Sequence, residues 1–253
     1  MMMYEYAAIS DIGPQYEIND DRILIGDTII NSGEYSGKTC DEVILLAIAD
    51  GVGGLQMGYA AAEETLKVLS SINHPDVDRM QIRNIVEVVN KSVLQKQREL
   101  NLLNGLRTTL AAIYLDAKSS YVFNAGDSRV YRFRNESIEL LSKDHSVVQN
   151  LLDTGEITEE QAYSHPKRNV ITKCIGDEER VNARIIDFSD DVKSGDIFLL
   201  CSDGISDCMR NDEMKEILMR DNTTLLEKCR SFIHKAIENG STDNISICLM
   251  RKE

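Results

Sequence analysis

Residues 110–141, "LAAIYLDAKSSYVFNAGDSRVYRFRNESIELL", hold apolar runs at 110–115, 120–125, 129–134 and 137–141, parted by very short joins. A parallel crossover consumes a dozen residues or more. Joins this short therefore permit only antiparallel neighbours and exclude a doubly wound parallel sheet. Further strand-like runs occupy 4–10, 43–49, 183–188, 196–201 and 244–250. Residues 78–98 place Ile82, Ile85, Val86, Val89, Val93 and Leu94 on one helical stripe. Residues 223–237 do the same with Leu225, Leu226, Cys229, Phe232, Ile233, Ala236 and Ile237. Shorter helices are expected over 58–70 and 211–219. Antiparallel strands with helices packed outside them imply a layered α+β architecture. The polar stretch 26–42 reads as a loop or ragged hairpin. The polar stretch 143–182 reads as a helical excursion between two strands, and on residue types alone decoration is slightly favoured over a functional flap.

At 253 residues the length prior allows one large domain or two small ones, and no linker, repeat or low-complexity tract divides the chain. A net charge of −14 repels nucleic acid and anionic membrane, so both are set aside as partners. It also repels any phosphate-bearing substrate unless local cations reverse the field. The cysteines at 40, 174, 201, 208, 229 and 248 form no CxxC pair and no zinc spacing. Cys201 and Cys248 lie in apolar runs and read as small buried hydrophobes. Reduced thiols, with no signal peptide and no membrane-length apolar run, predict a cytoplasmic protein.

The chemistry-bearing pattern is a recurrent aspartate at the ends of apolar runs. "LLAIADGVGG" (45–54) ends one run in Asp50-Gly51, "DIFLLCSDG" (196–204) another in Asp203-Gly204, and "YVFNAGDSR" (121–129) a third in Gly126-Asp127. "INDDRILIG" puts Asp21, and "GSTDNISICLM" puts Asp243, just before a run. A lone Asp-Gly most often closes a hairpin. Here, however, the chain runs from Asp50 and from Asp203 into helical patterns, not back into strands. Carboxylates that converge cannot all stay ionised without cations. Oxygen-only donors select Mg²⁺, Mn²⁺ or Ca²⁺, and no EF-hand pattern is present.

With those residues in view, the chain resembles the metal-dependent protein serine/threonine phosphatases of the type 2C family, in their compact bacterial form. The matching pieces are "SDIG" (10–13), "NDD" (19–21), "LLAIADGVGG" (45–54), "TTLAA" (108–112), "NAGDSRVYRFR" (124–134) and "KDHSVVQNLLDTGEITEEQA" (143–162). They continue in the family's order with "HPKRNVITKCIG" (165–176), "DIFLLCSDGISD" (196–207) and "GSTDNIS" (240–246). The resemblance implies two stacked antiparallel β-sheets flanked by α-helices, one phosphatase domain over 1–253, and a mobile flap at 143–182. It implies that Asp50 bridges two Mn²⁺ or Mg²⁺ ions. The Gly51 carbonyl and Asp21 would help hold one of them, and Asp203 and Asp243 would complete the other. Asp127, Asp203 and Asp207 would form a weaker third site. Asp50, Asp203 and Asp243 would carry catalysis. A water shared by the two ions would lose a proton and attack phosphorus. Chemistry of this kind needs no protein nucleophile. The implied partners are proteins phosphorylated by a serine/threonine kinase, as in signal transduction, and a monomer is expected.

Three positions depart from the family pattern. Tyr16 stands where an Arg usually clamps phosphate, which predicts weaker phosphate binding unless Arg107, Arg129 or Arg168 substitutes. Val52 stands where many eukaryotic members have His, and Arg107 precedes Thr108-Thr109 in place of Gly. The Thr pair reads as sheet packing, Arg129 equally as a salt-bridge partner or a substrate ligand, and His74, His145, His165 and His234 as structural or solvated. Loss of the arginine leaves one alternative, a catalytically weak or non-catalytic module that binds phosphoproteins.

Overall fold

The structure, a computed structural model, describes residues 3–52, 57–102, 105–177, 179–189 and 191–253. The chain runs β1 (Tyr4–Asp11), β2 (Arg22–Ile25), β3 (Thr28–Ile30), β4 (Gly33–Thr39), β5 (Ile44–Ala49), α1 (Gly58–Leu69) and α2 (Arg79–Glu99). It continues through β6 (Leu110–Leu115), β7 (Ser120–Ala125), β8 (Arg129–Arg134), β9 (Ser137–Leu140), α3 (Val147–Asp153) and α4 (Glu159–Tyr163). It ends with β10 (Arg184–Asp187), β11 (Ile197–Cys201), α5 (Asp203–Ser206), α6 (Asn211–Leu218), α7 (Leu225–Glu238) and β12 (Ile245–Lys252). Two six-stranded antiparallel sheets result, ordered β4-β1-β12-β11-β8-β9 and β10-β7-β6-β5-β2-β3.

Each sheet buries both faces. In β5, Leu46 and Ile48 join the inter-sheet core with Ile23, Ile113, Val122, Val130, Phe198, Leu200 and Cys248. Leu45, Ala47 and Ala49, on the opposite face, pack with Leu66, Val86, Val89 and Val93 of α1 and α2. That double burial explains why an antiparallel strand reads as an unbroken apolar run. Each such Leu or Ile contributes about 1.5–3 kcal/mol relative to exposure. The second sheet is covered by α7, whose Cys229, Phe232, Ile233 and Ala236 meet Ala7, Leu199, Ile247 and Leu249. Its N-terminus is closed by a capping box between Thr224 and Glu227, and that of α2 by one between Asp78 and Gln81.

One expectation is corrected and another sharpened. The join 126–128 is not a hairpin: β7 is paired on both sides, with β6 and β10, so the chain crosses to the other sheet, where β8 pairs β9 and β11. The stretch 26–42, expected as a loop or ragged hairpin, closes a β2–β3 hairpin and then supplies a strand to the other sheet. β3 pairs β2 in one sheet and β4 pairs β1 in the other, so this segment too passes between layers. The excursion at 143–182 is helical only over α3 and α4. It is tied back by Val147 N to Val170 O (2.9 Å), Thr172 N to His145 O (2.7 Å) and an Arg210–Glu160 ion pair (2.8 Å). No helix among the described residues is long and apolar enough to cross a membrane.

Candidate metal centre

Register brings the aspartates to one end of both sheets. Arg22 of β2 faces Ala49 of β5, so Asp21 and Asp50 occupy the next step of the same ladder. Asp50 is not a hairpin residue. Its backbone N–H donates to Thr109 Oγ1 (3.0 Å), and its carbonyl accepts from Thr109 N (2.8 Å) and Thr108 Oγ1 (2.8 Å). Thr109 Oγ1 is in turn bonded to Ser128 Oγ (2.6 Å). Gly51 is required by close approach: a Cβ there would lie 2.4 Å from the Gly58 carbonyl carbon at the start of α1. Asp20 Oδ1 accepts from Tyr59 N (2.7 Å) and so caps that helix from a distance. Gly53 and Gly54, which the sequence placed between Asp50 and this helix, lie outside the described residues.

The other sheet supplies the remaining acids. Asp203 opens α5 just beyond β11, Asp207 closes it, and Asp243 precedes β12. Ser202 stitches the layers together, its Oγ donating to Asp21 Oδ2 (2.9 Å) while accepting from Ser246 N (3.0 Å). Asn244 does the same beside Asp243, accepting from Asp20 N (2.8 Å). Asp127 sits in the crossing between β7 and β8.

These carboxylates raise one another's proton affinity. Burial, and then neighbouring carboxylates, hold Asp50 and Asp203 well above the ordinary carboxylate range, although both keep some surface in the cleft. For Asp50 the neighbours are Asp21, Asp203, Asp243 and Asp127; for Asp203 they are Asp127, Asp207, Asp243 and Asp21. Burial first, moderated by serine hydrogen bonds, lifts Asp21 to about 7; burial with Asp144 and Asp207 lifts Asp127 to about 7. Asp207 and Asp243 are raised for the same first reason. All seven site positions expected from the sequence thus meet at one end of the fold. Among the described residues, no three His, Cys, Asp or Glu side chains are gathered tightly enough to enclose an ion as they stand. Yet Asp21, Asp127 and Asp203 each keep a buried Oδ1 with no hydrogen-bond partner. Orphaned carboxylate oxygens on several converging acids fit a hard divalent cation.

The candidate substitutes for the missing arginine separate. Arg129 is committed to Asp144 (2.7 Å) and Tyr131 Oη (3.1 Å), the salt-bridge role. Arg107 pairs with Asp177 (2.8 Å). Arg168, its Nη1 on Tyr163 O (3.1 Å), lies near enough to Asp207 to lower that carboxyl's pKa. It lines a cavity of about 240 Å³ between α3, α4 and α5, together with Asp127, Asp207 and Tyr163. His145 is structural, its Nδ1 accepting from Gly126 N (3.3 Å). His74 and His234 are exposed, His74 Nδ1 meeting only the neighbouring Pro75 O (3.1 Å). The sequence reading missed Ser202, Asn244 and the clamping role of Thr108-Thr109. Their side chains act on residues distant in the chain, and no local pattern announces that.

Residues 33–239 match the protein phosphatase 2C family. The serine/threonine phosphatase stp of Listeria monocytogenes serotype 4b is 34% identical over 231 residues, covering 88% of this chain and 89% of that protein. Among solved structures, serine/threonine phosphatase Stp1 from Staphylococcus aureus superposes with a TM-score of 0.84 at 28% identity, over 100% of this chain and 96% of that one. The catalytic domain of the phosphatase PstP in complex with two manganese ions gives 0.79 at 26% identity, over 100% and 99%.

Proposed function

The chain belongs to the protein phosphatase 2C family and is a protein serine/threonine phosphatase, and on that premise we propose that Asp21, Asp50, Asp203 and Asp243, with the Gly51 carbonyl, hold two Mn²⁺ or Mg²⁺ ions for hydrolysis of phosphoserine and phosphothreonine in proteins. Asp127 and Asp207, with Asp203, form a weaker third position. The observation that carries this reading is the set of buried, unpaired oxygens on Asp21, Asp127 and Asp203. These residues would hold the ions, which when bound would supply an acidified water as nucleophile and positive charge for the phosphoryl oxygens.

The chain's own residues set the geometry. Thr108 and Thr109 fix the backbone of Asp50, so its carboxylate is presented from a rigid strand end. Ser202 orients Asp21. Val52 offers no proton donor, so solvent protonates the leaving alkoxide. Arg168, on the side of 143–182, lines the cavity beside Asp127 and Asp207. Retention of every acid favours hydrolysis over a binding module.

The test is dephosphorylation of a phosphothreonine peptide with added Mn²⁺. Asp203→Asn is expected to lose more than the roughly 10–100-fold that loss of an outer partner costs. Equal rates for the variant and wild type would overturn the assignment of Asp203. Absence of Mn²⁺-dependent hydrolysis of p-nitrophenyl phosphate by metal-loaded wild type would turn the reading to a phosphoprotein-binding module.

A further inference from the structure

The loop between β1 and β2 carries Tyr16, one of the three positions at which this chain departs from the family pattern. It is fastened to the site. Asn244 Nδ2, next to Asp243, donates to both Ile12 O (2.8 Å) and Ile18 O (3.2 Å), so the two ends of the loop share one donor. Gly13, at φ +71°, is seated so closely that a Cβ would lie 1.9 Å from Asp243 O. Asn19 Nδ2 ties the far end to Ser10 Oγ (2.9 Å).

The loop exposes three large apolar side chains. Ile12 is 38% exposed, Tyr16 48% and Ile18 57%. Tyr16 lies in the middle of the loop that Asn244 and Gly13 seat against Asp243. On the loop itself, residues 11–18 carry Asp11 and Glu17 and no Lys or Arg. The next cation, Arg22, is buried, with Nη1 on Asn19 O (2.8 Å) and Asp21 O (2.7 Å). A rim that is apolar on its crest and negative around it favours a greasy neighbour to the phosphate and repels an acidic one.

We propose that Ile12, Tyr16 and Ile18 form a specificity-determining rim. It seats an apolar side chain flanking the phosphorylated residue of the substrate, while the Tyr16 hydroxyl donates a neutral hydrogen bond to the phosphate. This rests on the phosphatase reading of the adjacent aspartates. The phosphate is held less by charge than an arginine would hold it, and the flanking side chain makes up the affinity through burial on the rim.

The experiment uses phosphothreonine peptides identical except for Leu or Glu beside the phosphorylated residue. It compares kcat and KM with Mn²⁺, and the Kd of the matching non-hydrolysable phosphonate peptides. Wild type is expected to prefer the Leu peptide by about 10-fold, mainly through KM, within the range for differences in one apolar contact. Ile18→Ser and Tyr16→Ala, checked for unchanged melting, bring the ratio towards unity. Val88→Ser, an exposed apolar site on α2, leaves it intact. Tyr16→Arg lowers KM for both peptides and more for the Glu peptide. Equal kcat/KM and Kd for the two flanks in wild type, or a preference untouched by Ile18→Ser and Tyr16→Ala, would overturn the proposal. A wild type that turns over no peptide strikes the phosphatase reading instead, and the phosphonate Kd values still decide the flank preference.

Discussion

Strand β11 has an aspartate near each end, and the two are treated in opposite ways. Before it, Asp196 accepts from Arg134 Nε and Nη2, each at 2.6 Å, and from Lys193 N at 2.8 Å. Arg134 also meets Asp191 (2.6 Å), which reaches Arg132 (2.7 Å), and Arg132 pairs with Glu139 (2.6 Å). Hydrogen bonds from Arg134 and then Arg132 hold the Asp191 carboxyl down at about 2. Beyond the other end, Asp203 keeps a buried oxygen without a partner, and its neighbours are more carboxylates. The fold supplies guanidinium where charge serves structure. At the opposite end of the same strand it leaves a gathering of acids whose neutralisation must come from solution. Uncompensated buried charge of this kind is costly, and it persists in folded proteins chiefly where function requires it.

Substitutions at the two ends should therefore have crossed effects. Asp203→Asn, the larger in activity, should abolish most hydrolysis yet raise the melting temperature in the presence of a chelator, because it removes a repelling carboxylate. Asp196→Asn should leave hydrolysis in place and destabilise by about 3 kcal/mol, the low end for breaking a buried pair, since Arg134 retains Asp191. Calorimetry of both variants in EDTA checks this. A fall in melting temperature for Asp203→Asn would erase the distinction between the two ends.

Metal linkage sharpens the contrast. Mn²⁺ at a hundred times its dissociation constant should stabilise wild type and Asp196→Asn by about 2.7 kcal/mol per site. The gain should be much smaller for Asp203→Asn, as read from melting across an Mn²⁺ titration. The smallest effect concerns pH. Asp191 has a folded pKa of about 2, below its ordinary 3.8. Its contribution is therefore complete above the unfolded value and is lost as pH falls from about 4 towards about 2. Asp191→Asn should flatten that part of the acid limb in urea unfolding; an unchanged limb would show that the paired end draws nothing from this exposed carboxylate.

Much of the fold was legible where a local rule governs. The runs at 110–115, 120–125 and 129–134 coincide with β6, β7 and β8, and the stripe at 78–98 with α2. Illegible were the places where the chain changes layer. The short join at Gly126 looks like any hairpin, and only the pairing of β7 with β10, some sixty residues away, excludes it. β4 is polar and exposed on much of its length and β3 is only three residues long, so no alternation marks them. At the site, the aspartates could be found because each abuts an apolar run. Ser202 and Asn244 could not, since their hydrogen bonds join residues about two hundred positions apart.

The longer apolar strands, the two main helices, the family resemblance and the aspartates abutting apolar runs could be read from the sequence alone, because periodicity, join length and residue type are local properties that survive without coordinates. Which strand lies beside which, and therefore that Asp21 and Asp50 stand opposite each other on one rung with Asp203 and Asp243 brought across from the second sheet, was decided only by the tertiary structure. Register is a relation between distant segments, fixed by burying both faces of two sheets at once, and the mutual repulsion that marks the site exists only after that packing has brought the charges together.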